Sequence, residues 1–288
     1  MSLLAYAIGK QPLMFEGFSK HNYCLKFLKK TKMKIVLNIS SLALASLLLV
    51  ASCKKDDTTA PASPKTGSIE LHYGNMVDTN DLVLNTQWYK NKIGDSFKVS
   101  TFNYYISNIV FNGPSNASFK ETESYHLVQA NVMSSTAFTI SGITPGKYSS
   151  VAFLIGVDST RNVSGAQTGA LDPALGMFWS WNTGYIFMKM EGQSPKSTAA
   201  SNLLKFHIGG FTGANNAIRT ITIPFNDTIT IDNNAFHAHI NVDLAKLFEA
   251  PNLVDFSTLN TVHMPGANAI KIANNYTSMF SLEEIVKK

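Results

Sequence analysis

The sequence predicts an all-β protein, an antiparallel β-sandwich with a short C-terminal helical segment. Three observations predict it. Apolar and polar residues alternate with period two in many short segments between residues 68 and 244. Gly, Pro and Asn clusters separate those segments, as in "NGPSN" (112–116), "TPGK" (144–147) and "GG" (209–210). Helical periodicity is scarce; "DLAKLFEA" (243–250), closed by Pro251, is the one short helix expected. Many short strands with such punctuation favour a sandwich or barrel.

The strands follow in order. In "SIELHYGN" (68–75), Ile69, Leu71 and Tyr73 share one face. "FKVSTFNYYISNIVFN" (97–112) is rich in β-branched and aromatic residues and reads as a long strand. "YHLVQA" (125–130), "AFTISGI" (137–143) and "KYSSVAFLIGVD" (147–158) continue the series. "YIFMKMEG" (185–192), "LLKFHIGG" (203–210), "IRTITIPF" (218–225) and "TITIDNNAFHAHINVDL" (228–244) complete it.

Composition bounds the rest. Of 288 residues, 45% are hydrophobic and 15% charged, which suits a folded domain and not a disordered chain. The formal net charge is +5, but residues 1–52 hold seven lysines against the single acid Glu16. That stretch carries the positive charge and leaves the remainder at −1, so a nucleic-acid partner is not expected.

The N-terminal 66 residues read as targeting sequence. "KKTKMK" (29–34) is a basic n-region, "IVLNISSLALASLLLV" (35–50) is mostly apolar, and "VASC" ends at Cys53. This is the pattern of a bacterial lipoprotein signal. The apolar run is shorter than the ~20 residues of a bilayer span. Residues 1–32 are therefore expected to be an over-long gene start and 33–52 the signal peptide. Residues 53–66 form a polar tether, and 67–282 form the β domain. Cleavage would leave an acylated Cys53 in the lipid bilayer and place the protein in the bacterial cell envelope as an outer-membrane lipoprotein. The "CKKDD" start resembles a surface-export signal. The only other cysteine, Cys24, lies in the leader, so the mature domain has no thiol for a disulfide or a metal.

Catalytic motifs are absent. The chain has no G-x-S-x-G, no H-E-x-x-H, no P-loop and no G-x-G-x-x-G after a strand, so a binding role rather than an enzyme is expected. Histidines are the remaining chemical signal. His237 and His239 in "FHAHI" are two apart, so on a strand both imidazoles face one way and can reach one metal ion. The competing reading is two surface histidines on a polar strand face. His207 in "FHIGG" stands beside glycines that admit a backbone or ligand; alternatively it is a histidine hydrogen-bonded inside the sandwich. Met264 follows His263, which suits either soft-metal binding or plain packing. Two of three tryptophans, Trp179 and Trp181, fall in "GMFWSWNTGY" (176–185); the third is Trp88. The pair forms either an aromatic wall or part of a site.

"FNYYISNIVF", "YHLVQA", "FLIGVDSTRNVSGAQTGALDPALGMFWSWNTGYIFMKMEG", "FHIGG" and "HMPG…IANNYTSMF" resemble the MbnP-like copper-binding family, in particular its lipoprotein branch. The resemblance spans residues 67–280. It implies one sandwich-like domain. It also implies copper held by two histidines and a tryptophan oxidised to kynurenine by a dihaem peroxidase-like maturation partner. Under it, His207 is the first candidate ligand, followed by His239, His72 and His237, and the oxidised residue is one of Trp179, Trp181 and Trp88, the first two before the third. The chain departs from the pattern in having no W-x-H triplet. Two classes of function follow: a copper-binding lipoprotein for metal acquisition or handling, or a lipoprotein that binds a non-metal ligand or partner with a structural aromatic core.

Overall fold

The computed structural model describes residues 65–165, 167–179 and 184–288. The leader, the lipidation residue Cys53 and most of the tether lie outside the described residues.

Among the described residues the strands are β1 (Gly67–Val77), β2 (Asn80–Asp81), β3 (Tyr89–Lys90), β4 (Ser96–Asn112), β5 (Ser118–Lys120), β6 (Tyr125–Gln129) and β7 (Ala137–Ile143). They continue with β8 (Gly146–Ile155), β9 (Ile186–Gln193), β10 (Leu203–Gly209), β11 (Arg219–Ile231), β12 (Ala235–Asp243), β13 (Thr261–Val262) and β14 (Phe280–Lys287). The helices are α1 (Ser159–Asn162) and α2 (Ala267–Asn275). No helix among the described residues is long and apolar enough to cross a membrane.

The strands form two sheets, and the expected all-β sandwich is what is observed. One has the order β14-β12-β1-β2, with β7 also on β1; the other has β11-β8-β4-β9-β10-β13, with β3, β5 and β6 also on β4. Most neighbours are antiparallel, but β1 runs parallel to β12 and β10 parallel to β13. These two parallel pairs join segments far apart in sequence, and both bear on the candidate sites.

Alternation decides which side chains fill the sandwich. On β1, Ile69, Leu71 and Tyr73 are buried while Glu70 and His72 point outward. On β12, Phe236, Ala238 and Ile240 are buried while His237 and His239 point outward. The middle of β4 breaks the alternation: Phe102 through Ser107 are all buried. Its outer face is covered because Tyr105 donates a hydrogen bond to the Ala170 carbonyl (2.9 Å) and Tyr185 to the Leu171 carbonyl (2.7 Å), fixing the segment after α1 over the sheet.

An aromatic layer joins the sheets. Phe153 of β8 meets Tyr73 of β1 edge-on at 6.0 Å between ring centroids and Phe280 of β14 at 5.5 Å. Tyr104 of β4 also contacts Phe280, at 5.9 Å. Such edge-to-face pairs contribute beyond the apolar area they bury. At one end Phe97, Phe206, Phe248 and Phe256 form a second aromatic cluster. The expected helix over 243–250 is a 3-10 segment, Leu244–Phe248, capped by Asp243, whose carboxylate accepts from the Ala245 amide at 3.0 Å. It is tight because four of its five side chains must turn into this core. The longer helix α2 lies further on, where no helical segment is expected from the sequence.

Replacing Phe153 by Ala removes the ring that touches both sheets. The expected loss is about 3–5 kcal/mol of unfolding free energy, measured by chemical denaturation.

Candidate metal centre

The candidate ligands fall into two groups on different sheets. The first surrounds Trp179. In the antiparallel pair β9–β10, Lys205 opposes Glu191 and His207 opposes Lys189. In the parallel pair β10–β13, Phe206 opposes Val262. One residue further along both chains come His207 and His263, and both line one cleft of about 410 Å³ with Trp179, Lys205 and Thr261. Sequence reasoning noted His263 only for its neighbour Met264. A two-residue strand carries too little alternation to reveal that it runs beside β10.

Trp179 is 5% exposed. Phe178 and Tyr185 form an antiparallel bridge, and the Trp179 amide donates to the Gly184 carbonyl at 3.2 Å. Asn162 of α1 holds the far side, its side-chain oxygen accepting from the Tyr185 amide at 2.9 Å. Below the indole lies Gly209. A Cβ there would stand 2.7 Å from the Trp179 ring and 2.5 Å from the Tyr185 carbonyl oxygen. The first glycine of "FHIGG" is therefore the seat of the tryptophan ring. On another side Trp179 borders a second hollow of about 210 Å³, lined by Phe211 and Pro265 among others. Trp181 lies outside the described residues.

His207 is mostly buried, and its Nε2 stands 2.7 Å from Oε1 of Glu191. Burial pushes the His207 pKa down, the Glu191 hydrogen bond opposes this, and the nearby Lys189 and Lys205 charges push it down further. The net direction is down, so the ring is neutral at neutral pH. With a carboxylate as acceptor, Nε2 carries the proton and Nδ1 the lone pair. Burial acts to raise the Glu191 carboxyl, but the hydrogen bond and charge of His207 with the two lysines hold it below its ordinary value. A histidine whose second nitrogen is fixed by a carboxylate is the usual support for a metal-binding imidazole.

The second group is a ladder on the outward face of the other sheet. The parallel β1–β12 register pairs Glu70 with His237, His72 with His239 and Gly74 with Asn241. Ring centroids are 4.7 Å apart for His72–His239, 6.0 Å for His72–His237 and 6.4 Å for His237–His239. His237 Nδ1 lies 3.0 Å from Glu70 Oε2, which also pairs with Lys288. His239 Nδ1 lies 3.2 Å from Glu283 Oε2. Burial, then the neighbouring His239 and His237, push the His72 pKa down. Spacing predicted that His237 and His239 share a face, and they do. The set His207, His239, His237 and His72 is thus split between two places rather than gathered in one. Among the described residues no group of three or more His, Cys, Asp or Glu side chains is placed to hold a metal ion.

Two other rings stand apart from both groups. His126 lies flat on Phe138, with centroids 3.8 Å apart, and pairs with Glu121. Trp88 is exposed, with the Lys98 ammonium 5.3 Å from its ring centroid.

This arrangement defines a class before any relative is considered: a β-sandwich with two clusters of histidines backed by carboxylates and a buried tryptophan beside one of them. The chain belongs to the MbnP family, whose model matches residues 66–265. Among solved structures, MbnP from Methylosinus trichosporium superposes with a TM-score of 0.50, covering 77% of this chain and 99% of that one at 14% identity. At that identity the likeness is one of fold. A search of curated proteins found no match.

The depressed His207 pKa has a consequence for stability. As pH falls through the ordinary histidine value near 6.5, the unfolded chain takes up a proton that folded His207 refuses, so stability declines. The metal-free protein is expected to lose stability from pH 7 to 5, and His207→Gln to make that decline shallower. Urea midpoints across this range measure it.

Proposed function

We propose that this protein is an envelope-anchored copper-binding member of its family, and that the Trp179–His207–His263 cleft holds the ion. The observation carrying this reading is the meeting of two histidines and a buried tryptophan in one cleft, with Glu191 behind His207. The donor set fits: neutral imidazole suits copper, and Lys189 and Lys205 help keep His207 neutral. Bound copper would supply a redox-active, nitrogen-seeking ion for storage or transfer. Glu191 orients His207, and Gly209 seats the indole.

Kynurenine formation would add a ligand. A dihaem peroxidase-like partner, consuming two equivalents of hydrogen peroxide that leave as water, would insert two oxygen atoms across the indole C2–C3 bond of Trp179, and water would then release C2 as formate. An aryl amine remains, a nitrogen donor beside two imidazoles. Trp181 is the alternative target of the same chemistry.

The test is intact mass and metal content of the full chain from copper-exposed native cells. The expected result is one copper per chain, a mass gain on the peptide holding Trp179 and Trp181, and loss of copper in His207→Ala and His263→Ala. Unmodified tryptophans with no copper retained after Cu(I) titration would overturn the reading. The non-metal alternative rests on exposed Trp88, which borders a hollow of about 420 Å³; it predicts ligand-dependent quenching lost in Trp88→Ala.

The anchor is part of the proposal. Cys53→Ser is expected to shift the protein from the membrane to the soluble fraction, followed by fractionation and immunoblot.

A further inference from the structure

The geometry points to a binding site that does not depend on the copper cleft: the hollow beside Trp88 takes a neutral saccharide. A sugar ring stacks on the indole, and its hydroxyls donate to the Asp78 and Asp81 carboxylates. This gives a ligand class to the hollow of about 420 Å³ that Trp88 borders.

The first observation is an indole kept out of the core on a fixed loop. Trp88 is 47% exposed, and Val83, exposed to the same extent, lines the same hollow. The next residue holds the loop in place. Tyr89 is buried against Phe97, with 5.8 Å between ring centroids. Its hydroxyl accepts from the Val83 amide at 2.7 Å and donates to the Asp81 carbonyl at 3.2 Å. One phenol thus ties both ends of the loop together. With Tyr89 turned inward, alternation along the extended chain turns Trp88 outward. The Asn85 amide on the Val99 carbonyl (2.7 Å) and the Gln87 side-chain amide on the Trp88 carbonyl (3.2 Å) add further pins. A ring already held in place loses little freedom when a ligand lies on it. An exposed apolar patch with a polar rim is the usual mark of a binding surface.

The second observation is the polar lining. Asp78, Asn80, Asp81 and Gln87 surround the apolar wall made by Val83 and Trp88. Among the described residues no hydrogen bond or ion pair engages the side-chain oxygens of Asp78 or Asp81. Each carboxylate is acceptor-only and can take two neighbouring hydroxyls. A pyranose offers those two features together: an apolar C–H face for the negative face of an indole, and a rim of paired hydroxyl donors.

The lining disfavours other ligand classes. An organic cation calls for a cage of several rings, but Trp88 is the one exposed ring here and Lys90 adds a positive charge. An anion would meet two carboxylates against that single lysine. The Lys98 ammonium, 5.3 Å from the Trp88 centroid, lines a neighbouring hollow of about 200 Å³ and not this one, so it leaves the site open.

The experiment titrates the full-length metal-free protein with maltotetraose, cellotetraose and tetra-N-acetylchitotetraose, followed by tryptophan fluorescence and calorimetry. At least one is expected to bind once per chain with a millimolar or tighter Kd and to change the indole emission. Trp88→Ala should weaken that binding roughly 10-fold, and Trp88→Phe, which keeps a ring, should recover part of the loss. Asp81→Asn should weaken it several-fold, because hydrogen bonds to a charged acceptor are the stronger kind. Raising the salt from ~0.05 to ~0.5 M should leave it unchanged, since screening acts between charges. His207→Ala should also leave it unchanged, so failure here is distinguishable from failure of the copper reading. Melting points of the unliganded variants control for folding; Trp88 and Asp81 are both exposed. Saccharide affinity unaltered in Trp88→Ala would sink the proposal. So would no binding of any of the three saccharides, or capture of tetramethylammonium in their place.

Discussion

The aromatic layer between the sheets is the interaction on which the rest depends. The described domain contains no cysteine, so no disulfide ties one sheet to the other. Apolar burial must hold them, at about 25 cal/mol for each Å² removed from water. Tyr73, Tyr104, Phe153 and Phe280 meet across the sandwich, and Phe97, Phe206, Phe248 and Phe256 close one end. With the inner faces committed to this packing, the outer faces and the ends of strands are free to carry chemistry.

Both histidine groups use that freedom in the same way. Each sits where two strands run parallel, β1 beside β12 and β10 beside β13. Parallel neighbours keep equivalent side chains level, so a histidine on one strand stands beside a histidine on the next. Each group also has a glycine where a side chain would collide with a ring, Gly209 under Trp179 and Gly74 beside His239. Carboxylates complete the pattern. Glu191, Glu70 and Glu283 each engage one nitrogen of a histidine and fix which nitrogen is left to donate. The two groups differ in access. His207 is largely buried beside a nearly inaccessible indole, while the β1–β12 ladder is half-exposed on an open face.

The sequence by itself determined most of the longer strands and their inner faces, though it read 228–244 as one segment where β11 ends at Ile231 and β12 begins at Ala235, and the two- and three-residue strands β2, β3 and β5 carried no pattern to read. Period-two alternation is local, so segments such as 137–143 were legible residue by residue, and the strand at 203–210 nearly so. It also determined that His237 and His239 share a face, because that follows from spacing along one strand. It did not reveal β13, too short to carry a pattern, or β14, a strand whose alternation is interrupted at the β12 bulge. Nor did it reveal α2, or that "DLAKLFEA" tightens into a 3-10 turn under the demand of the aromatic end cluster. Only the tertiary structure decided which histidines stand together. His72 meets His239, and His207 shares a cleft with His263, through pairings between segments distant along the chain. No local periodicity encodes such a partner, because strand order and register are settled by how whole sheets bury their apolar faces.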